Sequence, residues 1–218
     1  MLLLAAALSV AAVTSPKLPA SARCPQAPYA APQVTGTPPA GFTCSALELS
    51  GLADRTNPAL EPAFEVAIAP NRFPATAPAT PNALLQGFDT QGHLLFAQPL
   101  SADGAFHTYV PVSDATARAL SRIRLTVGSA IAEQATASHG EPSMEALSVD
   151  DTHVLLAWSG TAFPAIRVRE YPNGPLIVSG LGTTSYSEIT ISTSARVLYV
   201  DFSDGVHSYA RTIRIWNR

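Results

Sequence analysis

Lysine is almost missing from this chain. Of its thirteen Lys and Arg residues only Lys17 is a lysine, and they stand against sixteen acids, for a formal net charge of −3. Charged residues make up only 13% of the sequence, so the basic excess that a phosphate-backbone binder needs does not exist and a nucleic-acid partner is excluded. No run of like charge suggests a membrane-surface patch. The two cysteines, Cys24 and Cys44, cannot by themselves make a zinc site, and they lack the CxxC spacing of a redox pair. The catalytic signatures are missing too. There is no HExxH to set two imidazoles on one metal, no GxSxG elbow and no glycine-rich phosphate loop. The longest apolar stretch, Leu2 to Val13, is well short of the roughly 20 residues that span a bilayer, so no membrane span is expected in the mature chain.

That stretch has instead the length of a signal h-region, and Ala20-Ser21-Ala22 after it is a small-x-small cleavage pattern. The reading is a signal peptide over 1–22 with the mature chain starting at Arg23, which predicts a secreted, extracellular or periplasmic protein. In an oxidising compartment Cys24 and Cys44 are read as a disulfide. They close a segment, 23–45, whose Pro25, Pro28, Pro32, Pro38 and Pro39 keep it out of a strand ladder.

What is abundant is Thr, Ser, Val and Ile in short alternating runs, cut by 19 prolines and 13 glycines. This composition suits many short strands and argues against helices. The expected class is all-β, with two antiparallel sandwich modules of about 90 residues or fewer each. The first, over 46–136, takes strands at Leu47 to Ser50, Phe64 to Ala69, Leu84 to Phe88, His93 to Gln98, Phe106 to Val112, Arg122 to Val127 and Ala130 to Gln134. Asp89-Thr90-Gln91-Gly92 and Gly128-Ser129 are read as hairpin turns. The single helical signal is Ser113 as N-cap of a short alanine-rich segment, which fits a corner crossing between sheets. A polar linker, 137–144, leads to the second module over 145–218. Its strands are Ala146 to Val149, His153 to Trp158, Ala165 to Glu170, Leu176 to Ser179, Ser185 to Ser192, Arg196 to Phe202 and Tyr209 to Trp216, with Ser203-Asp204-Gly205 closing the last hairpin.

Period-two alternation assigns the faces. Ile123, Leu125 and Val127 are expected inside, with Arg122 and Arg124 opposite; Ile166 and Val168 inside, with Arg167 and Arg169 opposite; and Leu198, Val200 and Phe202 inside, joined by Ile213 and Ile215.

The second module resembles fibronectin type III and related immunoglobulin-like domains. The residues that carry this are Val154-Leu155-Leu156-Ala157-Trp158, Ile166-Arg167-Val168 and Leu198-Tyr199-Val200-Asp201-Phe202 before its Ser-Asp-Gly turn. The paired arrangement also resembles the β-sandwich tails of some secreted bacterial metallopeptidases, through Leu84 to Leu95 with its Asp-x-x-Gly turn, Phe106 to Pro111 and Val206-His207-Ser208. In such proteins these modules are not the catalytic part, so that likeness implies an accessory or stand-alone role.

Residue chemistry offers few candidate sites. Arg122, Arg124, Arg167 and Arg169 are candidate contacts for an anion or partner, each pair making a fork for a carboxylate or acidic polysaccharide, or else only a solvated strand face. The histidines His93, His107, His139, His153 and His207 are scattered singly. Asp150 with Asp151, and Asp201 with Asp204, are carboxylates near turns that suit calcium by ligand type but fall at opposite ends of a sandwich; turn-capping explains all four. No cofactor or metal site is expected. The expected function is a non-catalytic β-sandwich protein that binds or spaces a protein or cell-envelope polymer. The alternatives are an accessory module for a separately encoded secreted hydrolase such as a peptidase, or a carbohydrate-binding module.

Overall fold

The computed structural model describes Cys24 and residues 41–73, 80–101, 103–137, 140–172, 174–182 and 184–216. The stretch read as a signal peptide, most of the proline-rich segment and His139 lie outside the described residues.

Alternation builds the first sandwich. Its elements are β1 (Cys44–Ala53), β2 (Ala59–Leu60), β3 (Phe64–Ile68), β4 (Ala83–Phe88), β5 (Leu94–Leu100), β6 (Gly104–Pro111), helix α1 (Asp114–Ala119), β7 (Arg122–Val127) and β8 (Ala130–Ala135). One sheet centres on β1, which is antiparallel to β6 along one edge and to β3 and β2 along the other. The facing sheet runs β5-β4-β7-β8. Leu47, Leu49 and Val110 from the first sheet meet Leu85, Ile123, Leu125 and Val127 from the second, the faces that period two assigns to the interior. The helix crosses between the sheets as its N-cap predicts. Ser113 Oγ accepts from the Thr116 amide at 3.1 Å, and Leu120, where the helix ends in extended backbone, fills the core. Gly87 on β4 is fixed by packing, because a Cβ there would collide with the Phe96 ring and lie 2.7 Å from Leu120 Cδ1.

The second sandwich comprises β9 (Met144–Ser148), β10 (His153–Trp158), β11 (Ala165–Arg169), β12 (Val178–Leu181), β13 (Ser187–Ser192), β14 (Val197–Ser203) and β15 (Ser208–Arg214). Sheet β13-β10-β9 faces sheet β12-β11-β14-β15. First, second and fifth strands thus oppose the other four, the arrangement expected of a fibronectin type III-like module. Leu156, Trp158, Ile166, Val168, Leu198, Val200 and Phe202 form the core. The indole N–H of buried Trp158 donates to the Phe163 carbonyl at 3.1 Å, so its apolar bulk is buried without an orphaned donor. Beyond β15, Trp216 bonds Ala146 and Ser148 across a parallel bridge and ties the chain end to β9.

From β4 onward the first module repeats the path that the second follows from β11. They differ at the start. In the second module the first strand takes the sheet edge and the next takes the centre, whereas in the first module β1 takes the centre and β3 the edge. Most strand limits differ from the alternation reading by one to three residues, and β2 falls where no strand was expected. β12 begins at Val178 rather than Leu176, because the uninterrupted apolar run Leu176-Ile177-Val178 carries no period by which to place it. β1 begins at Cys44, inside the segment read as non-strand, because the prolines stop at Pro39 and leave its amides free to pair with β3.

Cys24 and Cys44 are disulfide-bonded. With Phe73, Ala46, Phe42, Val66, Ile68 and Tyr109 they form a separate small cluster, on the side of the β3-β1-β6 sheet away from the main core. The bond closes a span of 20 residues, so a Cys24→Ser/Cys44→Ser double variant is expected to lose about 3 kcal/mol of stability by loop entropy. Denaturant titration of the two forms measures this, and equal midpoints would contradict it.

Candidate functional site

The most elaborate polar construction lies where the two sandwiches meet, at the β14–β15 turn. Gly205 takes φ +107°, a conformation that side-chain-bearing residues rarely adopt. A Cβ there would also strike Gln134 and lie 2.8 Å from the Ala135 carbonyl oxygen of β8. Asp204 caps the turn, its Oδ1 accepting from the amides of Val206 at 2.9 Å and His207 at 2.7 Å. Its Oδ2 meets His207 Nδ1 at 3.2 Å and accepts from the Tyr209 hydroxyl at 3.1 Å. An Asp-Gly turn of this kind is ordinarily a solvent feature. Here Asp204 is 5% exposed and Val206 0%.

The burial comes from the other sandwich. Val206 is part of the first module's core. Ser203 Oγ donates to the Ala63 carbonyl at 2.6 Å and accepts from the Gly205 amide at 3.1 Å. The Ala63 amide donates to the Gly205 carbonyl at 3.0 Å, the Ala137 amide to the Asp204 carbonyl at 2.7 Å, and the Glu65 amide to Ser208 Oγ at 2.7 Å. The turn therefore satisfies β3, the stretch before it and the connector, while its valine fills the neighbouring core.

Beside the turn, Arg167 of β11 reaches β1. Its Nη1 and Nη2 bond both oxygens of Glu48, at 2.7 and 3.0 Å, and its guanidinium lies 3.9 Å from the Phe64 ring centroid. Glu48 also meets His107 Nε2 at 2.8 Å. Burial pushes the Glu48 carboxyl up, but the hydrogen bonds from Arg167 and His107 outweigh it and hold the group below the ordinary carboxylate range. Asp204 follows the same logic: burial raises it, while the bonds from the His207 ring and the two turn amides bring it below its ordinary value. For His207 the bond to Asp204 raises the imidazole against the opposing push of burial, and the charges of Asp204 and Glu65 and the Leu120 carbonyl add to the rise.

Chemically, this is a structural cluster. Ser203 is fully buried and spends its hydroxyl on Ala63 and Gly205, and Ser208 accepts from Glu65. The Ser203 hydroxyl is thus committed to backbone groups, and the Asp204–His207 pair is engaged in holding the turn.

The other candidate residues fall elsewhere. On β7, Arg124 Nε bonds Glu133 at 2.6 Å, Arg122 lies 3.9 Å from the same carboxylate, and both guanidinium groups sit over Phe88. Arg169 pairs with Asp201. Each of the four candidate arginines therefore has a carboxylate of this chain as partner, and Arg167 sits in the joint instead of on a solvated face. The pairs Arg122/Arg124 and Arg167/Arg169 stay on their separate strands. His93 pairs with Asp89 and His153 with Asp150, each at 2.9 Å. Hydrogen bonds from the Thr152 amide, then the His153 ring, lower the Asp150 carboxyl to about 2. Strand register sets Ala165 against Ser203 and Arg169 against Tyr199, so Asp150 and Asp151 lie at the end of the second sandwich away from Asp204. They line a shallow polar recess there with Ser148, Thr193, Ser194 and Arg196. Among the described residues no group of three or more His, Cys, Asp or Glu is placed to hold a metal, and no helix is long and apolar enough to cross a membrane.

Sequence reasoning missed Val206, Glu48 and Ala63 as joint residues. The one available signal was an unpaired valine at the tip of an Asp-Gly turn.

No protein-family model and no curated protein matches the chain. Among solved structures it is similar to a biofilm-associated protein BSP domain, at 12% identity and TM-score 0.28 over 81% of this chain and 29% of that one. It is also similar to a chimeric titin Z1Z2 tandem carrying an exogenous fibronectin GRGDS peptide, at 13% identity and TM-score 0.24 over 64% of this chain and 85% of that one. The chain thus spans under a third of the length of the first. Likenesses of that size assign neither ligand nor partner, and neither carries the metallopeptidase-tail resemblance.

Proposed function

We propose that the chain is an exported, non-catalytic pair of β-sandwiches that serves as a rigid interaction or spacing module for a protein or polymer of the cell envelope. The observation that supports this most is the joint. Burying the Glu48 carboxylate is costly unless its lone pairs find donors, and Arg167 supplies two of them from the other sandwich, while the Ala63 and Ala137 amides bond the Gly205 and Asp204 backbone carbonyls across the joint. Such satisfaction holds in one relative orientation of the modules, a property a spacer needs and a flexible tether does not.

The module limits adopted are 46–136 and 145–218, joined by 137–144, after a removed leader at 1–22. The disulfide fits an oxidising compartment, which supports a secreted, extracellular or periplasmic location. Arg122 and Arg124, with side chains 35% and 32% exposed, are the part of the anion-contact reading that the geometry leaves accessible to a partner.

Cross-linking of the exported protein in its native host, read by mass spectrometry, tests this reading. The expected adducts are an envelope protein or polymer. A secreted hydrolase as the main adduct would instead favour the accessory-module alternative, and a soluble glycan alone the carbohydrate-binding one; either result overturns the proposal.

A further inference from the structure

The joint holds a titratable group that its scaffolding role does not require. A glutamine or asparagine at position 207 would satisfy Asp204 Oδ2 equally well as a hydrogen-bond donor, without changing charge near neutrality. A histidine is there instead, its side chain 21% exposed against 7% for the Asp204 side chain, and it is walled in by both sandwiches. From its own hairpin Asp204 and the Tyr209 hydroxyl face it, from β3 Glu65 does, and from the end of α1 the Leu120 carbonyl. Every one of these neighbours is an acceptor or an anion except the Tyr209 hydroxyl, which is itself engaged with Asp204.

We propose that His207 is the latch of a pH-sensitive joint. As an imidazolium clamped by Asp204 and faced by Glu65, it holds the β14–β15 turn in the first sandwich. As a neutral ring it leaves the buried Asp204 carboxylate short of a cation, and the turn loosens. The inference concerns this chain's own residues and stands whatever the protein binds.

The sign follows from linkage. A histidine raised in the folded protein contributes stability that is fully present below its ordinary value of 6.5 and is lost as pH rises through the folded value. An aspartate lowered in the folded protein contributes stability that is present above its ordinary 3.8 and is lost as pH falls through the folded value. Both contributions are complete only between those two ordinary values, so the joint is tightest in mildly acidic medium and opens on the alkaline side. The distal Asp150–His153 pair also joins a turn aspartate to a histidine three residues on, but among the described residues it makes no hydrogen bond to the first sandwich, and so serves as an internal control.

Amide hydrogen exchange of the full chain at pH 6 and pH 8.5, corrected for intrinsic rates, reads the latch at the Ala63 and Ala137 amides. These two bond across the joint, while the Thr193 amide, bonded to Thr152, reports the distal end. Protection at Ala63 and Ala137 is expected to fall roughly threefold or more at the higher pH, the scale of one partly buried ion pair, with Thr193 unchanged. In His207→Gln that difference is expected to vanish, and in His107→Gln, which alters the other histidine at the joint, to persist. Glu65→Gln, an exposed and mild change, is expected to move the loss of protection to lower pH. If wild-type protection at Ala63 and Ala137 does not depend on pH, or falls equally at Thr193, or falls as much in His207→Gln, there is no latch at His207. Should His207→Gln fail to fold, His107→Gln decides: a pH-dependent loss of protection that persists in it keeps the latch at His207, and one that vanishes in it overturns the proposal.

Discussion

Val206→Asp is expected to destabilise the first sandwich by about 4 kcal/mol, although position 206 belongs to the second. The side chain is fully buried and belongs to the first core cluster, with Leu47, Leu85 and Leu125 among its members, so the variant places a carboxylate with no partner in an apolar interior. The milder Val206→Ala removes two methyl groups and is expected to cost about 2 kcal/mol, transfer and cavity together. Amide exchange at Leu85 and Leu125, deep in the first module, measures the effect. If the aspartate variant left those amides unchanged within roughly 0.5 kcal/mol, the range of an ordinary surface substitution, the turn would not be part of that core.

Arg167→Ala is the second large effect, at about 3 kcal/mol. It leaves Glu48 largely buried with only His107 to answer its charge, and breaking one side of a buried pair costs far more than the pair itself contributes. Glu48→Ala is expected to cost a similar amount, since it strands a guanidinium whose Nε already has no hydrogen-bond partner. A double-mutant cycle is therefore expected to show strong coupling: the double variant loses much less than the sum of the singles. Arg167→Lys is not conservative here, because it keeps the charge but forfeits the fork onto Glu48 and the flat stack on Phe64. Because Glu48 is held below its ordinary value, the pair's contribution is present above the ordinary carboxylate range and is lost as pH falls through the folded value. Additive single effects, or a lysine variant as stable as the parent, would falsify the bidentate account.

Much of this was legible in the sequence, and the residues say why. Period-two alternation reports which face of a strand is apolar, so Ile123, Leu125, Ile166, Val168, Leu198, Val200 and Phe202 were all assigned inward, and all are buried. Ser113 and the Asp89 to Gly92 turn carry local chemistry that acts within a few residues, so the helix and the hairpin could be placed without any tertiary knowledge. The joint is a different kind of object. Alternation sends Arg167 away from its own core, which is correct, but it is silent about a second core lying on that side. Likewise the Ser203-Asp204-Gly205 turn obeys its local rule, with Asp204 capping its own backbone, while its burial depends on β3, over a hundred residues earlier in the chain. Strand order in the first module was hidden for the same reason. β1 and β3 are each plausible as edge or centre, and only the competition for pairing with β6 decides.

The central claim is that the β14–β15 turn locks the two sandwiches into one orientation. Residual dipolar couplings of the backbone amides, measured on the full chain in weakly aligned solution at pH 6, test it most directly. A single alignment tensor is expected to fit the amides of both modules together, with equal magnitude and axes as oriented here. Two tensors of different magnitude, one for each module, would mean that the sandwiches reorient independently and that the joint does not hold.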